Sequence, residues 1–389
     1  MAKKVKPLGT VFNRFLSMKT ELCELALKEK TARTNKISAA RVLGVAVLLL
    51  AAGCATHPKT AKKFNFFPPP PDEPRLQFLT AFASEHDLRG NGGSLLSYVT
   101  GEKPPENPFG KPYGAAVSGK KIYVCDTSLG VVLVLDLQAR RLRGISPRGE
   151  GSFRLPLNMA IDAEGNYYVA DSGREQVIIL DAGEHFVAAL GEKGAMQPRD
   201  VAVGKDRFYV ADIKNHCVHV YDKAQRTVLF DVPNAQDASD LKRKLFQPTN
   251  LAVDSEGRIY VSDSGAYRIQ VYDPSGKFLR TVGRYGDNVG EFTRVKGVAV
   301  DRENRLYAVD AASQVVQIFD DQGKLLMWFG QPESSDVGLD LPSKVLVDYD
   351  DVGLFQDLAA PNFQIEHLVL VINQLGPRKV SVFGFGHKK

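Results

Sequence analysis

The 389-residue chain is 44% hydrophobic and 24% charged with a formal net charge of +5, an ordinary globular composition with room for one large domain or two medium ones. The charge is lopsided: residues 1–53 hold ten of the 50 Lys/Arg and three of the 45 Asp/Glu, which leaves 40 basic and 42 acidic residues in 54–389, a net of −2. That balance excludes nucleic-acid binding through a clustered basic face, and four cysteines without a CxxC or CxxCH exclude a disulfide scaffold and a c-type haem site.

The first element in chain order is the apolar run VLGVAVLLLAAG, which follows Arg41 and stops at Cys54. About twelve apolar residues fall short of the roughly twenty that span a bilayer, but they fit a signal-peptide core behind a basic flank. The sequence LAAGC, with Ala51, Ala52 and Gly53 before Cys54, resembles a bacterial lipobox. The resemblance implies lipidation of Cys54, cleavage just before it and a membrane anchor. With Ala55 next, it implies export to the outer membrane of a Gram-negative cell. The region ahead of the apolar core is long for a signal peptide, and Met18 offers a later start.

Residues 54–73 are expected to form a flexible tether, because Pro68 to Pro71 favour an extended polyproline II spacer. Residues 74–389 are expected to be the folded part. They open with PRLQFLTAF, which matches the last strand of later units such as GKFLRTVG.

Five repeats follow. KKIYVCD, GNYYVAD, DRFYVAD, GRIYVSD and NRLYAVD end at Asp126, Asp171, Asp212, Asp263 and Asp310. A tyrosine precedes each by three residues: Tyr123, Tyr168, Tyr209, Tyr260 and Tyr307. Branched aliphatic pairs then alternate with period two, namely Val132/Val134, Val177/Ile179, Val218/Val220, Ile269/Val271 and Val316/Ile318, which predicts strands with one buried face. A short apolar strand opens each unit (PYGAAV, PLNMAID, PRDVAV, PTNLAVD, VKGVAVD) and several close with another. Four strands at spacings of about 40–50 residues predict propeller blades. A sixth, degenerate unit places Leu370 at the Tyr position and Asn373 at the Asp position, then ends after KVSVFGFG without a fourth strand. Residues 74–82 are expected to supply it. A bare strand edge invites stray pairing, so an N-terminal strand in the last blade closes the ring.

PTNLAVDSEGRIYVSDSGAYRIQVYDPSGKFLRTVG resembles the NHL repeat over its whole length, and the ending VDYDD through VINQLGPRKVSVFGFG resembles bacterial NHL lipoproteins. The resemblance implies an all-β, six-bladed propeller over 74–389. It also implies an envelope protein or complex as partner, a multihaem cytochrome of an electron-transfer complex among them, with membrane contact through the lipid.

Features present in every blade usually serve the blade, so the repeated Asp and Tyr are read as structural. Function is expected where blades differ. The opening strands are expected to place Asn158, Asp200, Asn250 and Lys344 at the channel mouth, with Gly114 and Gly297 at the other two positions. The turns after the anchors add Arg174, Lys214, His216, Tyr267 and Arg268 to a candidate binding face. His216, Cys217 and His219 cluster, with 217 and 219 on one side of a strand, but sequence neighbours supply no third or fourth ligand. His86, His185 and His367 do not recur at one blade position. No metal, cofactor, catalytic residue or nucleic-acid partner is expected. The leading reading is a membrane-tethered interaction platform; the alternative is a metal-dependent hydrolase or lyase acting in the channel.

Overall fold

The computed structural model describes residues 64–89, 108–331 and 337–389. They belong to the unit Phe64–Lys389; the other unit, Met1–Lys63, lies outside the described residues, and with it the expected lipidation at Cys54, the start at Met18 and the first half of the tether. No helix among the described residues is long and apolar enough to cross a membrane.

Two strands precede the repeats, β1 (Phe66–Phe67) and β2 (Leu76–Phe82). Blade 1 is β3–β6 (Pro112–Ser118, Lys121–Asp126, Val131–Asp136, Arg141–Ile145), and blade 2 is β7–β10 (Pro156–Ile161, Tyr167–Asp171, Gln176–Leu180, Phe186–Leu190). Blade 3 is β11–β14 (Pro198–Val203, Arg207–Asp212, Cys217–Asp222, Val228–Val232), and blade 4 is β15–β18 (Pro248–Val253, Ile259–Asp263, Arg268–Tyr272, Phe278–Val282). Blade 5 is β19–β22 (Val295–Val300, Leu306–Asp310, Val315–Phe319, Leu325–Phe329). Blade 6 contributes β23 (Pro342–Asp348), β24 (Phe363–Asn373) and β25 (Val380–Lys388). Its sheet runs β1-β2-β25-β24-β23, so the N-terminal strand does complete the last blade, with Leu76 opposite Phe385 and Phe82 opposite Val380. The six innermost strands touch one another in a closed circle, β3 to β7, β11, β15, β19, β23 and back to β3. The molecule is a six-bladed β-propeller of antiparallel sheets.

Its core is a set of apolar layers between neighbouring blades. Val132 and Val134 face blade 2, while Leu133 and Leu135 of the same strand face blade 6. Val177/Ile179, Val218/Val220, Ile269/Val271 and Val316/Ile318 each face the following blade in the same way. These third strands are therefore buried on both faces. Radial stacking covers each sheet from both sides, whereas alternation alone suggested one covered face. The repeated tyrosines lie in these layers, and Tyr168, Tyr260 and Tyr307 donate their hydroxyls to Asp162, Asp254 and Asp301 of the adjoining turns at 3.3, 3.1 and 3.1 Å.

The end of the expected tether differs from a solvated spacer. Phe66 and Phe67 pair with Gln77 and Leu76, and Arg75 N–H and Phe78 N–H donate to Phe67 and Asn65 carbonyls, both at 2.9 Å. The prolines occupy the turn between β1 and β2. Three aromatic side chains, Phe64, Phe66 and Phe67, have apolar surface to bury. Phe66 meets the Phe363 ring at 5.6 Å and Phe67 meets Phe329 at 6.0 Å.

Candidate functional site

Each anchor residue ends the second strand of its blade beside the first residue of the innermost strand, as Asp212 lies beside Pro198 and Asn373 beside Pro342. The anchors therefore mark one face of the ring, here the anchor face. Their carboxylates accept backbone N–H groups from two loops at once. Asp126 takes Gly110 N–H at 2.7 Å, Lys111 N–H at 3.0 Å, and Ser128 and Leu129 N–H at 3.1 Å. Asp310 takes Thr293 N–H at 2.8 Å, Arg294 N–H at 3.0 Å and Ala312 N–H at 3.0 Å. Such short acceptors fix turns that would otherwise leave buried donors unpaired. In doing so they set the loops that carry Lys111 and Arg294.

Every innermost strand is bulged next to its anchor. The register slips between Pro198 and Asp200, between Pro156 and Asn158, between Pro248 and Asn250, between Pro342 and Lys344, and likewise in β3 and β19. A bulge re-aims side chains that simple alternation would send to opposite faces. Two successive residues of a strand then reach the channel: one layer holds Tyr113, Leu157, Arg199, Thr249 and Lys296, and the next holds Gly114, Asn158, Asp200, Asn250, Gly297 and Lys344.

That second layer is not the mouth expected from the sequence. Asn158, Asp200, Asn250 and Lys344 are all buried, and they close the channel at its waist. Lys344 Nζ lies 2.8 Å from Asp200 Oδ2. Asp200 also accepts Leu251 N–H at 3.1 Å, Val201 N–H at 2.9 Å and the Asn250 amide at 3.3 Å. The glycines make this packing possible. A Cβ on Gly114 would stand 1.9 Å from Asn158 Oδ1, and one on Gly297 would stand 2.5 Å from Lys344 Cα.

Above the waist, on the anchor face, a funnel of about 650 Å³ opens to solvent. Lys111, Arg199, Arg294 and Lys296 line it with Tyr113, Tyr267 and small polar residues, and no carboxylate is among its lining residues. Lys296 Nζ donates to Tyr113 Oη at 3.1 Å. Arg199 Nε is buried and makes no hydrogen bond among the described residues. Around the funnel, Leu129, Tyr267, Tyr285 and Leu375 are exposed on anchor-face loops, with the Tyr267 and Tyr285 rings 4.8 Å apart. On the other side of the waist lies a cavity of about 460 Å³, walled by Val and Ala side chains with Asp348, Asp350 and Arg302 also in its lining. The funnel concentrates positive charge between low-dielectric walls, an arrangement that attracts anionic groups.

The remaining sequence candidates brace loops. Arg174 donates to Ser152 O at 2.7 Å and to Glu150 O; Arg268 donates to Lys242 and Lys244 carbonyls, both at 2.9 Å. Lys214 contacts Gly194 O and His216 contacts Phe246 O. Of the nine candidates, Tyr267 lines the funnel. Sequence reasoning missed Lys111, Tyr113, Arg199, Arg294 and Lys296. Their signal was position: each sits directly before or after the residue that opens an innermost strand.

Residues 243–326 match a family model described as a 6-bladed beta-propeller, and residues 196–221 match the NHL repeat. A stretch of 142 residues is 30% identical to Protein brain tumor of Drosophila melanogaster, covering 34% of this chain and 13% of that protein. Another of 96 residues is 35% identical to a probable peptidyl-alpha-hydroxyglycine alpha-amidating lyase of Caenorhabditis elegans, covering 22% of this chain and 27% of that protein. The chain thus spans well under a third of either relative. Among solved structures, a gluconolactonase from Xanthomonas campestris is similar with a TM-score of 0.52 and 16% identity, over 71% of this chain and 86% of that one. A virginiamycin B lyase from Staphylococcus aureus gives a TM-score of 0.50 and 11% identity, over 73% of this chain and 98% of that one. At such identities the likeness is one of fold.

Proposed function

We propose that this chain is a protein-interaction platform of the bacterial cell envelope. Lipid on Cys54 holds it at the outer membrane, and its anchor face docks an envelope protein through an acidic segment that enters the funnel. The observation that carries this reading is the funnel itself: four cationic side chains, no lining carboxylate, a sealed floor and a rim of exposed Leu129, Tyr267 and Tyr285. Aromatic side chains and arginine are the usual anchors of protein interfaces, and complementary charge sets encounter rate and register. The lipobox resemblance supplies the location, and the resemblance to bacterial NHL lipoproteins supplies an electron-transfer complex with a multihaem cytochrome as a partner class. For a hydrolase or lyase acting in the channel, the support is likeness of fold; at the waist the carboxylate, Asp200, is already engaged by Lys344, Asn250 and two backbone N–H groups.

The test is affinity capture from detergent-solubilised envelopes, with the wild-type chain and with a chain carrying Arg294→Glu and Lys296→Glu. Both side chains are at least partly exposed, so the fold should survive. A partner that is retained at low salt, released at high salt and lost from the double variant supports the reading. A partner held equally by both chains, or none held by the wild type, contradicts it.

A further inference from the structure

The flank of blade 3 brings Asp231 beside Cys217 and His219, which already neighbour each other in sequence. Cys217 and His219 lie on β13, and Asp231 lies on β14 directly opposite His219. One ligating atom of each falls within 4.8 Å of the others. Cys217 Sγ is 3.8 Å from His219 Nδ1, and His219 Nδ1 is 2.7 Å from Asp231 Oδ1. Ligands around one tetrahedral zinc stand roughly 3.3–3.6 Å apart, given Zn–S of about 2.3 Å and Zn–N and Zn–O near 2.0–2.1 Å. Cys217 Sγ is near that distance from Nδ1 but lies 3.7 Å from Nε2 as well, so it sits beside the ring and must turn toward Nδ1 to share a metal with it. Asp231, whose side chain is 53% exposed, has space to retreat on its outer strand by the small amount required.

The second nitrogen of the imidazole is also provided for. His219 Nε2 lies 3.1 Å from Asp212 Oδ2, and Asp212 is itself fixed by Gln197 N–H at 2.9 Å and by the Asn215 amide at 2.6 Å. A carboxylate behind the histidine is the usual outer partner of a metal-bound imidazole, because it orients the ring and raises its basicity.

The blade does not need these residues. At the place of His219 the other five blades carry Leu133, Ile178, Gln270, Gln317 and Ser381. Opposite those residues, at the place of Asp231, stand Gly144, Ala189, Thr281, Trp328 and Ala81. Gln270 and Gln317 are occupied with loop backbone, donating to Lys242 O at 2.9 Å and Glu291 O at 2.8 Å. Blade 3 alone combines a thiol, an imidazole and a carboxylate.

We infer that Cys217, His219 and Asp231 form a site for a zinc-type divalent cation, with Asp212 holding the imidazole from behind. On binding, the thiol proton and the Nδ1 proton leave, and sulfur, nitrogen and one carboxylate oxygen become ligands. Three protein ligands leave a fourth position for water or for a group from outside. A mixed sulfur, nitrogen and oxygen set suits zinc better than the hard cations calcium and magnesium.

The full chain, stripped with chelator, is titrated with cobalt(II) as the probe. The expected result is one equivalent bound with a thiolate-to-cobalt charge-transfer band, displaced by added zinc. Cys217→Ser should abolish the band, and Asp231→Asn should weaken binding at least about tenfold. Asp231→Asn alters a half-exposed side chain and keeps the test usable should Cys217→Ser fail to fold. No charge-transfer band, a band unchanged in Cys217→Ser, or full affinity in Asp231→Asn overturns the inference.

Discussion

Lys344 and Asp200 meet at 2.8 Å although their strands, β23 and β11, lie on opposite sides of the ring. The pair crosses the channel axis between blades 6 and 3. Both groups are buried, Asp200 at 0% and Lys344 at 5% exposure, so neither charge has water to fall back on. Removing one partner of such a pair costs more than removing both, because the survivor is left buried and unpaired. Lys344→Met should therefore destabilise the domain by about 3–5 kcal/mol, and adding Asp200→Asn should restore part of that loss. Chemical unfolding of the two single variants and the double variant measures the coupling. Additive losses would mean that the pair does not act as a unit.

The N-terminal aromatic residues make a separable contribution. Phe67 packs on Phe329 and Phe383 at 6.0 and 6.2 Å, and Phe78 packs on Phe383 at 5.4 Å. Leu76 and Phe82 are buried in the layers on either side of blade 6. Deleting residues 74–84 should unfold the whole ring, since it removes the strand paired with β25. Phe66→Ala and Phe67→Ala should each cost about 1–3 kcal/mol, the range for a partly buried large apolar side chain. Thermal melting separates the cases. A Phe67→Ala chain that melts like the wild type would return residues 64–73 to the role of a plain spacer.

The ring was largely legible in the sequence and the site was not, for a reason of periodicity. The Tyr-x-x-Asp anchors recur because each blade needs the same acceptor at the same turn, and Asn373 could be found because it sits where Asp310 sits one blade earlier. The missing strand of blade 6 was visible as an apolar segment with no other place to pair. Alternation, however, puts Arg199 and Asp200 on opposite faces, and the bulge at Pro198 brings both to the channel. Lys344 was expected at the channel mouth, whereas it is buried at the waist, and its reach to blade 3 depends on the ring order, which no single repeat contains. Asp231 was missed as a neighbour of His219 because it lies across a strand turn.

Stability should fall with acid through His367. This imidazole is buried, stacked on Phe385 at 4.7 Å, with Nε2 2.9 Å from the Tyr307 hydroxyl, which in turn donates to Asp301 at 3.1 Å. Burial holds its pKa down to about 4 from the ordinary 6.5, with Arg305 adding to the depression and Asp301 opposing it. The folded state keeps it neutral while the unfolded chain takes up a proton between those values. Its contribution is therefore complete above pH 6.5 and is lost as pH falls toward 4, up to about 3 kcal/mol in all. Asp351 works in the opposite sense: burial raises its carboxyl to about 6, with Asp348 and Asp350 adding to the rise, so its term costs stability as pH rises through that window. The comparison to make is between the wild type and His367→Gln. The variant should lose less stability between pH 6.5 and pH 4.5; parallel curves would remove His367 from the account.

The proposed docking of partners on the anchor face, over the funnel, can be tested in place. The most direct measurement is site-specific photocrosslinking in intact envelopes, with a photoreactive phenylalanine placed at Tyr267 on the funnel wall, at Leu229 on the outer strand of blade 3, or at Leu354 in the loop after β23. All three positions are exposed, at 38%, 46% and 41%. One dominant adduct is expected from position 267, abolished by Arg294→Glu with Lys296→Glu, and none of comparable yield from 229 or 354. Adducts that form from 229 or 354 and not from 267 would contradict it.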